Sequence, residues 1–201
     1  MRKKVFKERY NAAERTKDPD KVKVNQIISD LAKTRASSDM IILDCEKLQT
    51  LKYLKKAGVD PDNIMIPNPF VFNKIRKYHT NTYNMLLGKL LDNLDFEGSS
   101  KESIGLAFFD YMCSLEGNND ISPVEDIRKY FGYRFPKNNS ILAVTLSFRT
   151  HNKTAGRYNE ACKCDMLVGY SAYENGYYAI KLDLAFAYNG MYVNFYKILK
   201  Q

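Results

Sequence analysis

The chain has no tryptophan, only two histidines, and only ten glycines among its 201 residues. Each scarcity removes a class of chemistry. With His79 and His151 alone, and no evident Ser, Cys or Asp partner in sequence for either, a histidine-based catalytic triad has little material to work with. The four cysteines, Cys45, Cys113, Cys162 and Cys164, fall into no zinc-binding spacing, and Cys162-Lys163-Cys164 is not a C-x-x-C. They are expected as free thiols in a reducing compartment, which points to the cytoplasm. No stretch reaches the roughly 20 apolar residues of a membrane span. The first ten residues carry charge but no apolar h-region, so no signal peptide is expected. No internal repeat, low-complexity tract, Arg/Gly run or RNP-type motif occurs.

What is present reads as globular. Hydrophobic residues make up 45% and charged residues 27%. The length suits a single α/β domain, expected over residues 1–201, with an N-terminal arm and helix over 1–37 and a core over 38–200. Net charge is +8, with Lys47, Lys52, Lys55, Lys56, Lys74, Arg76 and Lys77 concentrated in one segment. Such a charge either favours an anionic partner or is simply a solvated basic surface.

The hydrophobic pattern alternates between short buried runs and amphipathic stretches. Residues 22–33 have helical spacing, 40–44 read as a buried strand, and 46–57 as a helix stopped by Gly58. A second strand is expected at 63–66, ended by Pro67-Asn68-Pro69, whose two prolines hold the turn extended. Helices are expected over 70–78 and 82–94, the latter with room for a short third strand. Ser122-Pro123-Val124-Glu125 has the form of a capping box and predicts a helix to Phe131. A long strand follows at 140–148 and a helix at 158–173. Asn189-Gly190 then stands between two strand-like runs, the strongest short-range hairpin signal.

The run from Ser103 to Met112 is the most informative. Its apolar stretch ends in one carboxylate, Asp110, followed by Tyr111. Continuous apolar runs are strands buried on both faces, the habit of parallel sheets, and ligands of such sheets bind at the carboxyl ends of the strands. Asp110 is therefore placed either at a ligand or as a cap for the next turn. The expected fold is α/β: a Rossmann-like, mostly parallel sheet with helices on both faces, ending in an antiparallel β-hairpin.

That ending, with the residues before it, resembles the class I S-adenosylmethionine-dependent methyltransferases over residues 38–200. Ile41 to Glu46 resembles the family's first strand and loop, Asn63 to Asn68 its second strand, Leu91-Asp92 the loop beside the adenine, Phe108 to Tyr111 its fourth-strand motif, and Ser140 to Arg149 its fifth strand. The chain is also similar to methyltransferase domains of large DNA viruses of algae, including the C-terminal domain of a chlorovirus capsid-glycan glycosyltransferase. The resemblance implies an S-adenosylmethionine cofactor and O-methylation of sugar hydroxyls on a glycan acceptor. A methyltransferase-like basic scaffold, binding nucleic acid or a partner protein without catalysis, is the alternative. A Rossmann-like enzyme with Asp44 or Asp110 as nucleophile is less suited, because the second acid two residues on is missing.

Two departures stand out. The family's glycine-rich first loop is here Asp44-Cys45-Glu46, and its ribose-gripping acid after the second strand is replaced by Pro67-Asn68. A charged hydrogen bond of that kind contributes about 1.5–3 kcal/mol, and Asn68 offers only a neutral one. By resemblance, Asp44, Glu46, Pro67, Asn68, Asp92, Asp110 and Tyr111 are the cofactor-binding candidates. Asp44 and Glu46 either face the cationic end of the cofactor or cap the next helix. Tyr111 either covers the cofactor or belongs to the core. A hydroxyl acceptor needs its proton taken, for which Asp110 is the first candidate base and His151 the second. Asp110 is equally a candidate grip for the cofactor's amino group. Arg149 either binds an anionic group of the substrate or forms a surface ion pair. Asp110, Glu116, Asp120 and Asp126 carry oxygens that suit a divalent ion, but no fixed spacing supports one.

Overall fold

The computed structural model describes residues 18–98, 101–118, 120–147, 153–184, 186–188 and 190–201. The arm expected over the first residues, Arg149, His151 and Asn189 lie outside them.

Helix α1 (Pro19–Lys33) starts where Asp18 accepts a hydrogen bond from the Asp20 amide at 2.9 Å and Pro19 presets the first turn. It buries Val24, Ile28 and Ala32, spaced one helical turn apart. Strand β1 (Asp39–Ile42) follows, then α2 (Gln49–Lys56), β2 (Ile64–Pro67), α3 (Phe72–Ile75), β3 (Thr82–Tyr83), α4 (Leu87–Glu97), β4 (Ile104–Asp110), α5 (Pro123–Gly132), β5 (Pro136–Ser147), α6 (Lys153–Glu174), β6 (Tyr177–Lys181), β7 (Phe186–Tyr188) and β8 (Met191–Lys200).

The strands form one sheet in the order β3-β2-β1-β4-β5-β8-β6, with β7 also paired to β8. Strands β3, β2, β1, β4 and β5 are mutually parallel, while β8 runs antiparallel to β5, β6 and β7. Strands β6 and β7 lie along opposite ends of β8, pairing with residues up to Lys200 and from Met191 respectively. The expected closing hairpin is therefore present, and Gly190 takes the positive φ of 77° at its turn.

Alternation along the buried strands divides the core into two layers. Met40, Ile42, Leu106, Phe108, Ile141 and Ala143 face α1, α2 and α3. Ile41, Ala107, Phe109, Leu142, Val144 and Leu146 face α4, α5 and α6. Every β4 residue from Ile104 to Phe109 is buried, as the apolar run predicts.

Several element boundaries differ from expectation, among them the start of β5 at Pro136 and of α6 at Lys153. The helix expected from Glu46 begins at Gln49, because Leu48 adopts the left-handed region at φ 51° and breaks the helical run. The 82–94 stretch divides into β3 and α4, and α4 continues to Glu97 before Gly98 ends it at φ 66°. The helix expected over 70–78 is a single turn, α3. Among the described residues, no helix is long and apolar enough to cross a membrane.

Candidate functional site

A cavity of about 330 Å³ opens at the carboxyl ends of β1, β2 and β4. That volume lies within the ordinary range for small-molecule sites. Its floor is made of the loops after those strands, from Leu43 to Cys45, Pro67 to Phe70 and Asp110 to Met112. The first turns of α4 and α5 form one wall, and Lys21 of α1 reaches in from the other side.

The loop after β1 holds Asp44, which is 7% exposed. Its Oδ1 accepts from the Cys45 amide at 2.8 Å and its Oδ2 from the Leu51 amide at 2.9 Å. Leu51 lies in the first turn of α2, whose N-cap Leu48 has no side-chain acceptor. Asp44 thus caps α2 from outside the usual N-cap position while also lining the cavity. Burial pushes its carboxyl up to about 6, against the pull of those two amides and the Lys21 ammonium.

Asn68 is buried and both ends of its side-chain amide are hydrogen-bonded. Nδ2 donates to the Asp44 carbonyl at 2.9 Å, and Oδ1 accepts from the Phe70 and Val71 amides at 3.0 and 3.2 Å. These bonds tie the loops after β1 and β2 together and shape the cavity floor beside Pro67.

Asp110 ends β4 and lines the cavity, ion-paired to Lys21. The Lys21 ammonium also lies 5.1 Å from the centroid of the Phe108 ring. Next to it, Tyr111 is 3% exposed and donates its hydroxyl to Asp126 Oδ2 at 2.8 Å. Burial, then the facing Asp126 charge, holds its phenol well above the usual range. Tyr111 therefore belongs to the core and borders the cavity at once. Asp126, on the first turn of α5, is also buried, and burial pushes its carboxyl up to about 6. A Cβ at Gly88 would lie only 2.5 Å from Asp126 Oδ1, so glycine at the start of α4 is what admits this carboxylate.

Two of the expected cofactor contacts fall elsewhere. Asp92 sits within α4 and not in a loop, and it is absent from the cavity lining. Lys129 Nζ approaches it at 2.8 Å and the Tyr133 hydroxyl at 3.0 Å. Glu46 also lies outside the lining and is ion-paired to Lys74, which holds its carboxyl below the usual range. Glu46 precedes the turn at Leu48, and Asp92 lies inside α4, where the resemblance implied a loop. Of the four possible oxygen ligands, Asp110, Asp120 and Asp126 border the cavity and Glu116 does not. Among the described residues, no group of three or more His, Cys, Asp or Glu side chains could hold a metal ion. All four cysteines are free. His79 is buried beside β2, away from the cavity, with Nε2 donating to the Ile64 carbonyl at 2.7 Å.

Sequence reasoning missed Lys21 altogether and saw Asp126 only as a possible oxygen ligand. Nothing in spacing links residue 21 to residue 110. The acid following Glu125 in the capping box was the only sign that α5 delivers a second carboxylate to this region.

The sheet order, the closing hairpin and the cavity at the carboxyl edge define the Rossmann-like methyltransferase fold. Solved structures with this fold are similar over most of the chain. Trm1 from Pyrococcus horikoshii, solved with S-adenosyl-L-methionine, matches with a TM-score of 0.58 and 10% identity over 88% of this chain. The chain spans only about half of that protein, 54% of its length. A SAM-dependent methyltransferase from Archaeoglobus fulgidus matches with a TM-score of 0.53 and 11% identity, over 84% of this chain and 94% of its own. The fibrillarin pre-rRNA processing protein of Methanococcus jannaschii matches with a TM-score of 0.54 and 9% identity, over 82% of this chain and 67% of its own. No protein-family model matches the sequence, and no curated protein does.

Proposed function

We propose that the chain is an S-adenosylmethionine-dependent methyltransferase with its cofactor in the cavity above β1, β2 and β4. One observation carries the reading: the cavity lies at the carboxyl edge of this sheet order and is lined by both carboxylates and apolar side chains. Asp44 and Asp110 suit the cationic end of the cofactor, and Pro69, Phe70, Leu86 and Leu87 suit a flat apolar base. Asp44 and Asn68 fix the two loops that would lie under it, in place of a glycine-rich turn. When bound, the cofactor supplies an activated methyl group.

The acceptor we propose is a sugar hydroxyl, following the sequence resemblance to glycan-modifying methyltransferase domains of large DNA viruses. A hydroxyl needs its proton accepted at about hydrogen-bond distance, and Asp110 serves as that base only where Asp44 alone holds the cationic end of the cofactor and the ion pair with Lys21 has opened. His151 and Arg149 remain the proposed second base and anion contact.

Isothermal titration with S-adenosylmethionine should show binding of one ligand per chain. Transfer of labelled methyl should then favour a saccharide over RNA or protein. Absence of heat at millimolar ligand would reject the cofactor, and preferential labelling of RNA would reject the acceptor.

A second reading has its own support. Asp110 is ion-paired, both ends of the Asn68 amide are bonded to loop backbone and the loop after β1 has no glycine. These features suit a non-catalytic basic scaffold. That protein would bind polynucleotides with strong salt dependence and bind no cofactor.

A further inference from the structure

Asp44 and Asp110 stand at the carboxyl ends of adjacent parallel strands, β1 and β4, inside the same cavity. Each raises the other's electrostatic cost, and Asp110 is among the groups that push the Asp44 carboxyl up. Two carboxylates in a largely apolar recess need a cation. Lys21 supplies it from a third element, α1, which belongs to neither strand. Its ammonium is paired to Asp110, lies over the Phe108 ring, and is close enough to pull on Asp44. The pair is substantially withdrawn from water, with side-chain exposures of 16% and 18%.

We propose that Lys21 occupies the subsite for the ligand's own cationic group, so that a cationic ligand enters by displacing it. This rests on the proposed cofactor reading and adds a specificity-determining residue to it. The physical argument is one of exchange. An ammonium or sulfonium brought by the ligand replaces the lysine charge, so the charge facing the two carboxylates is the same before and after binding. A ligand without a cation has nothing to offer them and leaves Lys21 in place. Lysine suits this exchange because its charge sits on a flexible four-carbon stem, and Lys21 lies in the first turn of α1. Displacement subtracts the Lys21–Asp110 interaction from the affinity, so the site is selective for cations at the expense of tightness.

The test compares wild type with Lys21→Met and Lys21→Arg, titrating each with S-adenosylmethionine and with adenosine, which lacks the cationic tail. Met keeps the stem's apolar packing and removes the charge. Thermal denaturation of each variant checks that it folds. Displacement predicts that Lys21→Met binds S-adenosylmethionine at least about tenfold more tightly than wild type, that Lys21→Arg does not, and that adenosine binds all three alike. Tighter binding of adenosine in parallel would mean the lysine merely blocks the cavity sterically, and would overturn the exchange. Equal or weaker S-adenosylmethionine binding by Lys21→Met, with wild type binding normally, would overturn the proposal and leave the cofactor reading standing. No binding of S-adenosylmethionine by any of the three would overturn both.

Discussion

Asp126 keeps a carboxylate where burial opposes charge. Its carboxyl is pushed up to about 6 in the folded chain, whereas an unfolded aspartate titrates near about 3.9. Between those values the native state binds more protons than the unfolded state. The contribution of Asp126 is therefore fully present below about pH 4 and is lost as pH rises through about 6. Asp44 titrates with the same sign. His79 has the opposite sign: burial holds it below the usual imidazole value, so the unfolded chain takes up the proton first and stability falls as pH drops through about 6.5. An Asp126→Asn variant isolates one of these contributions, because Asn still accepts the Tyr111 hydroxyl hydrogen and carries no charge. At pH 7.5 it should be more stable than wild type by on the order of 1–3 kcal/mol, and at pH 4 the two should converge. Urea denaturation at both pH values reads the difference. Parallel pH profiles for the two proteins would show that Asp126 is not ionised under strain.

At the level of elements, capping decides where helices begin. Helix α5 starts as its sequence announces: Ser122 Oγ accepts from the Glu125 amide at 3.4 Å and Pro123 opens the first turn. The bond is long, so Ser122→Ala should destabilise the fold by only about 0.5–1 kcal/mol, at the lower end of N-cap losses. A shift above 2 kcal/mol in chemical denaturation would mean that Ser122 also supports the cavity wall it lines. This helix was legible because its cap is adjacent in sequence. Helix α2 was legible as a helix but not at its start, because its capping carboxylate, Asp44, lies four residues before the N-cap Leu48 and acts across a turn. The buried strands were legible for a related reason. An apolar run such as Ile104 to Phe109 needs no partner to announce itself, whereas the two-residue β3 is defined only by pairing with Ile66 and Pro67. The site divides along the same line. Asp44, Pro67, Asn68, Asp110 and Tyr111 stand at strand ends, where the family resemblance, and for Asp110 the apolar run as well, points. Lys21, Gly88 and Asp126 reach the cavity by packing of α1, α4 and α5, and packing of distant elements leaves no local signal.

On the scale of the whole molecule, the cavity joins two cores that are otherwise separated by the sheet. Lys21 belongs to the α1 side, while Leu87 and Asp126 belong to the α4 and α5 side, and the strand-end loops run between them. A ligand that fills this space touches both layers, so its binding energy adds to the stability of the entire fold and not to one lobe. At a ligand concentration of 100 times Kd the native state gains about 2.7 kcal/mol. For a chain of 201 residues, each kcal/mol raises Tm by roughly 2–4 °C, which predicts an upward shift of about 5–10 °C with saturating S-adenosylmethionine. The transition should move as one cooperative step, because no layer can unfold without losing part of the ligand's contacts. The net charge of +8 gives the contrasting expectation for a polyanion: its shift would be largest at low salt and collapse toward zero near molar salt. Differential scanning fluorimetry at low and high ionic strength separates the two. A salt-insensitive shift with S-adenosylmethionine supports a built small-molecule site. A shift seen only with polynucleotide, and only at low salt, would reassign the molecule as a basic scaffold on a methyltransferase fold.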